Sequence, residues 1–214
     1  MAATETRLLL LGTVMLFEPV NGYQLRRELL SWQVEDWAHV NPGSIYSGLA
    51  TLARQGNLDR HDLVDGTREV AVYTSTTQGR REFDRLWRAA VETVDVLSPL
   101  PFHTAMALMP LVGRGAVRDA LQARLAAMDA KARDQLAQNP PVEAVPPHVR
   151  ALADLWMGLG QTEREWLVDL LGRVDRGELE LKGEPVSWQA PADDPGWQMA
   201  SDRTRYLELI SRRR

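Results

Sequence analysis

The sequence predicts a mainly α-helical protein that contains one small β-hairpin. Apolar residues recur at intervals of three and four along most of the 214 residues, which is the spacing of amphipathic helices. Residues 58–74 instead carry two short strand-like runs on either side of a turn dipeptide. The 44% hydrophobic share and the lack of cysteine predict a packed core without disulfides, and exclude thiol nucleophiles and cysteine-ligated zinc.

The first two helices are predicted from the residues at their ends. Residues 5–17 predict a first helix, which Pro19 terminates. A second helix is predicted over residues 22–31, because Asn21 and Gln24 stand three residues apart, as in a capping box. Two short helices joined by a brief turn are therefore expected at the N-terminus.

The third predicted helix, residues 42–55, has two faces of different chemistry. Asn41 followed by Pro42 is a strong start signal, and Gly56 provides a left-handed stop. At 100° per residue the large aliphatic side chains share one face, which we expect to pack on the core: Ile45, Leu49 and Leu52. The opposite face is small, hydroxylated and free of acid: Gly43, Ser44, Ser47, Ala50, Thr51 and Arg54. A face that meets only solvent usually carries Glu and Lys, so this composition indicates a binding surface.

The hairpin and a fourth helix follow. Strands are predicted over residues 58–63 and 70–74, and Asp65-Gly66 is a strong tight-turn dipeptide that leaves Thr67 and Arg68 near the tip. Ser75 and Gln78 repeat the capping spacing and open a helix of about twenty residues. Its apolar stripe continues through Val94 and Leu97, which is more than a small three-helix core could cover.

Pro99 and Pro101 mark the predicted domain boundary, between an N-terminal domain of residues 1–98 and a C-terminal helical domain of residues 99–214. Helices are predicted over residues 102–112 (interrupted by Pro110), 115–138, 149–176 and 201–214, with a proline-rich loop at residues 139–147 and an irregular stretch at 177–199. The long helices have the spacing of partner helices. We expect homodimerisation through Leu121, Leu125, Met128, Trp166 and Leu170.

Methionine and tryptophan are concentrated in the C-terminal half. Adaptable sulfur and flat rings suit apolar ligands, so one hypothesis is a pocket for a small apolar or aromatic effector. Its lining would be Met106, Met109, Trp156 and Met157. The alternative is that these side chains simply fill the core and the dimer interface.

The order of three helices, a β-hairpin and a further helix is the plan of a winged helix-turn-helix, in which the third helix enters the major groove of DNA. The residues also resemble one family, the PadR-like transcriptional regulators. The resemblance is carried by the Asn21-Gly22-Tyr23-Gln24-Leu25 and Pro42-Gly43-Ser44-Ile45-Tyr46 segments, by Leu49, Leu52 and Gly56, and by Tyr73, Thr76 and Gly79. Farther along, Glu163-x-Glu165-Trp166-Leu167 is similar to the start of the family's last helix.

The resemblance implies a homodimeric DNA-binding regulator, usually a repressor, whose C-terminal helices form the dimer and sometimes a small-molecule pocket. Two positions depart from the family pattern. Ser47 replaces the usual proline after the recognition-helix tyrosine, and Ala50 and Thr51 replace the common basic residue. The resemblance therefore implies neither a particular operator sequence nor a particular ligand. From the implied dimer we expect a pseudo-palindromic operator.

Candidate DNA contacts follow from side-chain chemistry. Hydroxyls can bond to base edges, which suits Ser44, Ser47 and Thr51, and the small Gly43 permits a close approach. Phosphate contacts are expected from Tyr23, Arg26, Arg27, Tyr46, Arg54, Thr67 and Arg68. Tyr46 borders the core, so packing is an equal alternative for it.

Charge is the main objection to DNA binding. Residues 1–98 carry 10 Arg and no Lys against 13 acidic residues, a net charge of −3, whereas phosphate neutralisation supplies most of a DNA-binding protein's affinity. We expect the arginines to cluster on the helices and the wing tip that face DNA. The rival hypothesis is a winged-helix module that binds proteins and never DNA.

Other classes find no support in the sequence. It contains no phosphate-binding loop or nucleophile elbow, and its four histidines lack metal-ligand spacing, so we expect no catalytic residue, no metal and no cofactor. Neither a secretory leader nor a run of about 18 apolar residues is present, so we expect a cytoplasmic protein without a membrane partner.

Overall fold

The computed structural model describes residues 4–38, 40–138, 144–187, 189, 191–192, 194 and 196–212. The chain divides into two compact units. The first contains residues 1–87 and 185–214, and the second contains residues 88–184. This division differs from the expected one at residue 98, because the C-terminal tail groups with the N-terminal unit.

The N-terminal helices of the first unit follow the predicted plan. They are α1 (Thr4–Phe17), α2 (Gly22–Ser31), α3 (Val34–Trp37) and α4 (Pro42–Arg54). The capping box at α2 is confirmed, since Asn21 Oδ1 accepts a hydrogen bond from the Gln24 amide (2.9 Å) and Gln24 Oε1 accepts one from the Asn21 amide (3.1 Å). The single turn α3 was not predicted, because four residues are too few to show a period.

Three antiparallel strands form one sheet in the order β1-β3-β2: β1 (Val20–Asn21), β2 (Leu58–Asp65) and β3 (Arg68–Ser75). The predicted hairpin is confirmed, and its register runs from Leu58 opposite Ser75 to Asp65 opposite Arg68. Gly66 takes a φ of +63° in the turn, a conformation that glycine adopts without strain. The two-residue strand β1 is too short to show alternation in the sequence.

Helix α1 lies at the centre of the first unit. The structure buries Leu8 and Leu11 and also Leu9, Leu10 and Val14, so this helix is enclosed on more than one side. A β-carbon added to Gly48 of α4 would lie 2.4 Å from Leu10 Cδ1. The absence of a side chain at Gly48 therefore allows α1 and α4 to pack closely.

Helix α5 (Thr77–Glu92) follows the hairpin. The expected cap, Ser75, is wrong by one residue, because Thr76 Oγ1 accepts the hydrogen bond from the Gly79 amide (2.9 Å). The helix also ends earlier than expected, so Val94 and Leu97 lie beyond it. Gly79 is fixed by packing, since a β-carbon there would lie 1.9 Å from the carbonyl oxygen of Asn57.

All regular secondary structure in the described part of the second unit is helical, with α6 (Leu100–Ala107), a 3-10 turn (Met109–Leu111), α7 (Arg114–Gln138) and α8 (Pro147–Asp175) following the end of α5. The interruption predicted at Pro110 is confirmed, because α6 ends at Ala107 and continues as the 3-10 turn. Residues 139–143 of the predicted loop lie outside the described residues. No helix in the described part of the chain has the length and apolarity needed to span a membrane.

A buried arginine joins the elements of the second unit. Arg124 of α7 is fully buried, and its Nε donates to Glu163 Oε1 of α8 at 2.6 Å. Its Nη1 donates to the carbonyls of Val91 and Thr93, at 2.9 and 2.6 Å. The guanidinium also lies 3.8 Å from the ring centre of Phe102. One side chain thus links α6, α7, α8 and the end of α5.

The C-terminal helix α9 (Gly196–Ser211) belongs to the first unit. Its Tyr206 is buried in an apolar cluster with Leu63 of β2 and Val72 of β3. Residues 196–199, predicted to be irregular, form the first turn of this helix, so that expectation was wrong there. Arg213 and Arg214, the end of the predicted basic tail, lie outside the described residues.

Candidate nucleic-acid interface

Helix α4 turns its small polar face outward, as predicted. Its aliphatic face is buried in the core, with Ile45, Leu49 and Leu52 at most 2% exposed. Asn41 caps the helix by accepting a hydrogen bond from the Gly43 amide at 3.1 Å. On the other side Gly43, Tyr46, Ser47, Ala50 and Arg54 are exposed, while Ser44 and Thr51 are half-buried. The described residues therefore leave this face open.

The two serine hydroxyls of α4 already have partners for their protons. Ser44 Oγ donates to the Asn41 carbonyl at 2.6 Å, and Ser47 Oγ donates to the Ser44 carbonyl at 3.1 Å. A hydroxyl oxygen that donates one bond keeps its lone pairs for accepting others. In this state the serines of α4 can accept hydrogen bonds from base amino groups, and they can donate only after the hydroxyl rotates.

Two exposed tyrosines lie on neighbouring helices, Tyr23 in the first turn of α2 and Tyr46 on α4. Tyr23 is 65% exposed and Tyr46 is 47% exposed. A β-carbon added to Gly22 would lie 2.9 Å from Tyr46 Cε1, so the Tyr46 ring rests against the first turn of α2. Tyr46 therefore both packs and exposes a large part of its ring, which reconciles the two roles expected for it.

The basic residues predicted to contact DNA differ in their exposure and in the partners that their side chains already have. Arg54 and Arg68 are exposed, although Arg54 donates to Thr51 Oγ1 at 3.1 Å. Arg26 is half-buried on α2. Arg27 forms an ion pair with the neighbouring Glu28 at 3.5 Å, which weakens its suitability for phosphate. The most available cations are thus at the end of α4 and at the wing tip.

The wing, defined as the hairpin of β2 and β3, exposes its tip. Thr67 and Arg68 are both exposed there, as predicted. Helix α9 contributes a further cation, because Arg205 forms an ion pair with Asp65 at 2.7 Å. Sequence reasoning missed this residue. The only local signal was the helical spacing of Met199, Tyr206 and Ile210, which does not identify the surface they cover.

The residues predicted for dimerisation divide into two groups. Leu121, Met128 and Leu170 are buried within the protomer, so they stabilise its own core and cannot contact a second copy without rearrangement. Leu125 is half-buried and Trp166 is 44% exposed. Only Leu125 and Trp166 therefore remain predicted dimer contacts.

The first half of α8 exposes a larger apolar surface, from which the prediction of dimer contacts named no residue. Its six members are each between 42% and 57% exposed: Val149, Leu152, Leu155, Trp156, Met157 and Leu159. Four of them, Val149, Leu152, Trp156 and Leu159, follow the 3-4-3 spacing of a helix seam. Monomeric proteins rarely expose contiguous apolar patches of more than a few hundred Å², and larger patches mark contact sites.

The residues predicted for an effector pocket lie in different surroundings. Met106 and Met109 are half-buried in α6 and the 3-10 turn, whereas Trp156 and Met157 are exposed on α8. Half of the predicted lining thus faces solvent in a single protomer. The pocket remains a prediction, as does the alternative that these side chains fill an interface.

Ion pairs connect α7 to α8 and to the segment that follows α8. The Arg164 guanidinium bonds to the Asp129 carboxylate at 2.7 Å and lowers the pKa of that carboxyl. Arg114 bonds to Glu184 at 2.5 Å and likewise lowers its pKa. These carboxylates are permanently ionised near neutral pH and are already paired, so their surroundings fit a structural role.

Comparison with known proteins agrees with the motifs. Residues 10–85 match the model of the transcriptional regulator PadR-like family. No match is found among curated proteins. Among solved structures, the crystal structure of Bacillus subtilis PadR in complex with operator DNA is similar at 20% identity, covering 79% of this chain and 98% of that chain with a TM-score of 0.36. The match to the family model confirms the resemblance predicted from the motifs over residues 10–85, where the chain matches the PadR-like family of transcriptional regulators.

Proposed function

We propose that this protein is a sequence-specific DNA-binding regulator of transcription that acts in the cytoplasm. The open face of α4 is the observation that carries the proposal. A helix that is capped by Asn41, buries its aliphatic side and exposes small and hydroxylated residues can lie in a major groove with its backbone close to the bases. The match to the family model over residues 10–85 supports the same role.

Within this proposal, the first turns of α4 read bases and the surrounding residues grip phosphates. Ser44, Ser47 and Thr51 would face base edges. The side chains assigned to phosphate oxygens are Tyr23, Tyr46, Arg54 and Arg68, with Thr67 beside the last of these. The net charge of −3 on residues 1–98 is compatible with this assignment, because these arginines are exposed while others are paired with acids.

We further propose that the regulator is a homodimer and a repressor on a pseudo-palindromic operator. The exposed apolar surface of α8 supports dimerisation, because a second copy would remove it from water. Two recognition helices must then meet successive major-groove turns, about 34 Å apart. A small apolar or aromatic effector bound near Met106, Met109, Trp156 and Met157 would release DNA by changing that spacing.

A gel-shift titration over the region upstream of the gene tests DNA binding. The wild-type protein should bind one fragment, with an affinity that falls steeply as salt rises. Arg68→Ala should lower the salt slope by about 0.9 for each phosphate that the protein no longer neutralises. Ala50→Glu places an acid on the exposed face of α4 and should weaken binding about 100-fold, since like-charge contacts cost several kcal/mol.

The matched control is Ala126→Glu, which adds the same charge at an exposed position of α7. It should leave DNA affinity within about twofold of the wild type, because α7 contributes none of the residues proposed to contact DNA. Absence of binding to every upstream fragment at low salt would overturn the proposal and favour the rival, a winged-helix module that binds proteins.

A further inference from the structure

An acidic residue lies beside the wing tip. Asp65 and Arg68 are the last paired residues on either side of the turn formed by Gly66 and Thr67. Directly opposed side chains in an antiparallel pair lie on the same face, with β-carbons about 5 Å apart. Asp65 would therefore be the natural ion-pair partner of Arg68, and such a pair would cancel the charge that Arg68 offers to a phosphate.

The structure gives Asp65 a different partner. The Nη2 atom of Arg205 lies 2.7 Å from Asp65 Oδ2 and 2.9 Å from Asp202 Oδ1. Arg68 is exposed, and its side chain makes neither a hydrogen bond nor an ion pair with the residues that the structure describes. Arg205 of α9 thus pairs with Asp65, which would otherwise neutralise Arg68 at the wing tip.

The position of Arg205 is fixed by buried contacts of its neighbours. Tyr206 is 3% exposed, and its hydroxyl oxygen accepts a hydrogen bond from Asn21 Nδ2 at 2.9 Å. Asp202 accepts a hydrogen bond from Gln24 Nε2 at 2.8 Å. Leu209 and Ile210 pack on the cluster that contains Tyr206. Helix α9 is therefore held against the wing by core packing, and Arg205 is presented to Asp65 as a consequence.

We propose that Arg205 is a positioning residue for DNA binding, which pairs with Asp65 so that Arg68 keeps its charge for a phosphate. The inference rests on the proposed DNA-binding function. If Arg205 were absent, Asp65 would turn to Arg68 and neutralise it, because the two side chains lie on the same face of the hairpin.

The test measures the affinity of the full-length protein for the upstream DNA fragment by fluorescence anisotropy at 0.1 M salt. Arg205→Ala should weaken binding about three- to tenfold across two wings, and should lower the salt slope. The double variant Arg205→Ala with Asp65→Asn should bind within about twofold of the wild type. A residue that only stabilised the fold would not be rescued by removing the acid.

Two controls separate this role from a general loss of charge. Arg203→Ala removes the same charge from an exposed position of α9 and should change affinity less than about twofold. In an Arg68→Ala background, Arg205→Ala should have less than about a twofold further effect, since the two changes act on one contact. Tm should be the same for all variants to within a few degrees.

A DNA affinity of Arg205→Ala equal to that of the wild type would overturn this inference and leave the proposed DNA-binding function intact. So would a failure of Asp65→Asn to restore binding, or an undiminished loss in the Arg68→Ala background. If the wild-type protein bound no DNA at all, the proposed function would fail and this inference would fail with it.

Discussion

At the scale of single residues, the candidate interface depends on a glycine, which leaves room for the ring of a tyrosine. Gly22 begins α2, and the ring of Tyr46 occupies the space that a β-carbon would need. The ring belongs to an exposed residue of α4, so it can move aside without disturbing the core. Gly22 therefore sets the direction of Tyr46 more than it sets the stability of the fold.

This arrangement predicts the effect of Gly22→Ala. The new β-carbon displaces the Tyr46 ring and should weaken DNA binding several-fold, measured by anisotropy on the upstream fragment. The free energy of unfolding should change by less than about 1 kcal/mol, because alanine is the better helix former by that amount. Gly115→Ala, where nothing lies within 4 Å of the added atom, serves as the control and should leave affinity unchanged. A large loss of stability with normal binding would contradict the role given to Gly22.

Single residues also show where sequence reasoning reaches its limit. The outward direction of Ser47 and Arg54 could be predicted, because helix periodicity and the buried face of α4 determine it. The pairing of Asp65 with Arg205 could not, because 140 residues separate the two and no local pattern relates them. The same holds for Glu163 and Arg124 on different helices.

At the scale of elements, Arg124 is the buried polar centre of the second unit. Its guanidinium satisfies Glu163 and two backbone carbonyls and stacks on Phe102, whose ring in turn meets Trp166 edge-on with centroids 5.9 Å apart. Burying a charge is tolerated only when it is paired and hydrogen-bonded. The element packing of α6, α7 and α8 therefore depends on this side chain.

We expect Arg124→Met to lower the free energy of unfolding by about 3–5 kcal/mol, because it leaves Glu163 and the carbonyls of Val91 and Thr93 without their donor. Adding Glu163→Leu should recover part of the loss. The control is Arg164→Met, which breaks a surface ion pair of similar length and should cost at most about 1 kcal/mol. Urea denaturation measures all three. If Arg124→Met and Arg164→Met lowered the free energy of unfolding equally, the buried Arg124 would contribute no more to stability than a surface arginine.

The boundaries of elements were predictable where local chemistry sets them. The capping box at α2, the Asn41-Pro42 start of α4 and the Gly66 turn are all formed by neighbours in the chain. The surface on which α9 packs was not predictable. The apolar spacing of α9 predicts that one face is buried, but it does not identify the element that covers this face. Strand β1 likewise exists only through its pairing with β3.

At the scale of the whole molecule, the proposed mode of DNA binding requires two copies of the chain. The apolar residues predicted for the dimer were chosen by spacing, and spacing alone does not distinguish a stripe that packs within the protomer from one that packs between protomers. Leu121 and Leu170 proved to be core residues, whereas Leu152 and Leu159 of α8 are exposed. The surface of α8 is therefore the better candidate for the contact.

Replacing Leu152 and Leu159 together by Glu should convert a dimer into a monomer, because the charges would have to be desolvated in the interface. Sedimentation velocity would measure the mass of the particle, and operator affinity should fall with it. The control is Leu207→Glu, at a leucine of α9 that is also about half exposed. A double variant that still sediments as the wild type would show that α8 does not form the contact.

Methylation protection shows whether two copies of α4 lie in the major groove of one duplex. Dimethyl sulfate modifies guanine N7, which lies in the major groove. We predict two protected patches on one face of the DNA, centred about 10–10.5 base pairs or a multiple of that apart, and their loss with Ala50→Glu. Binding that leaves every guanine N7 reactive would contradict this placement of α4.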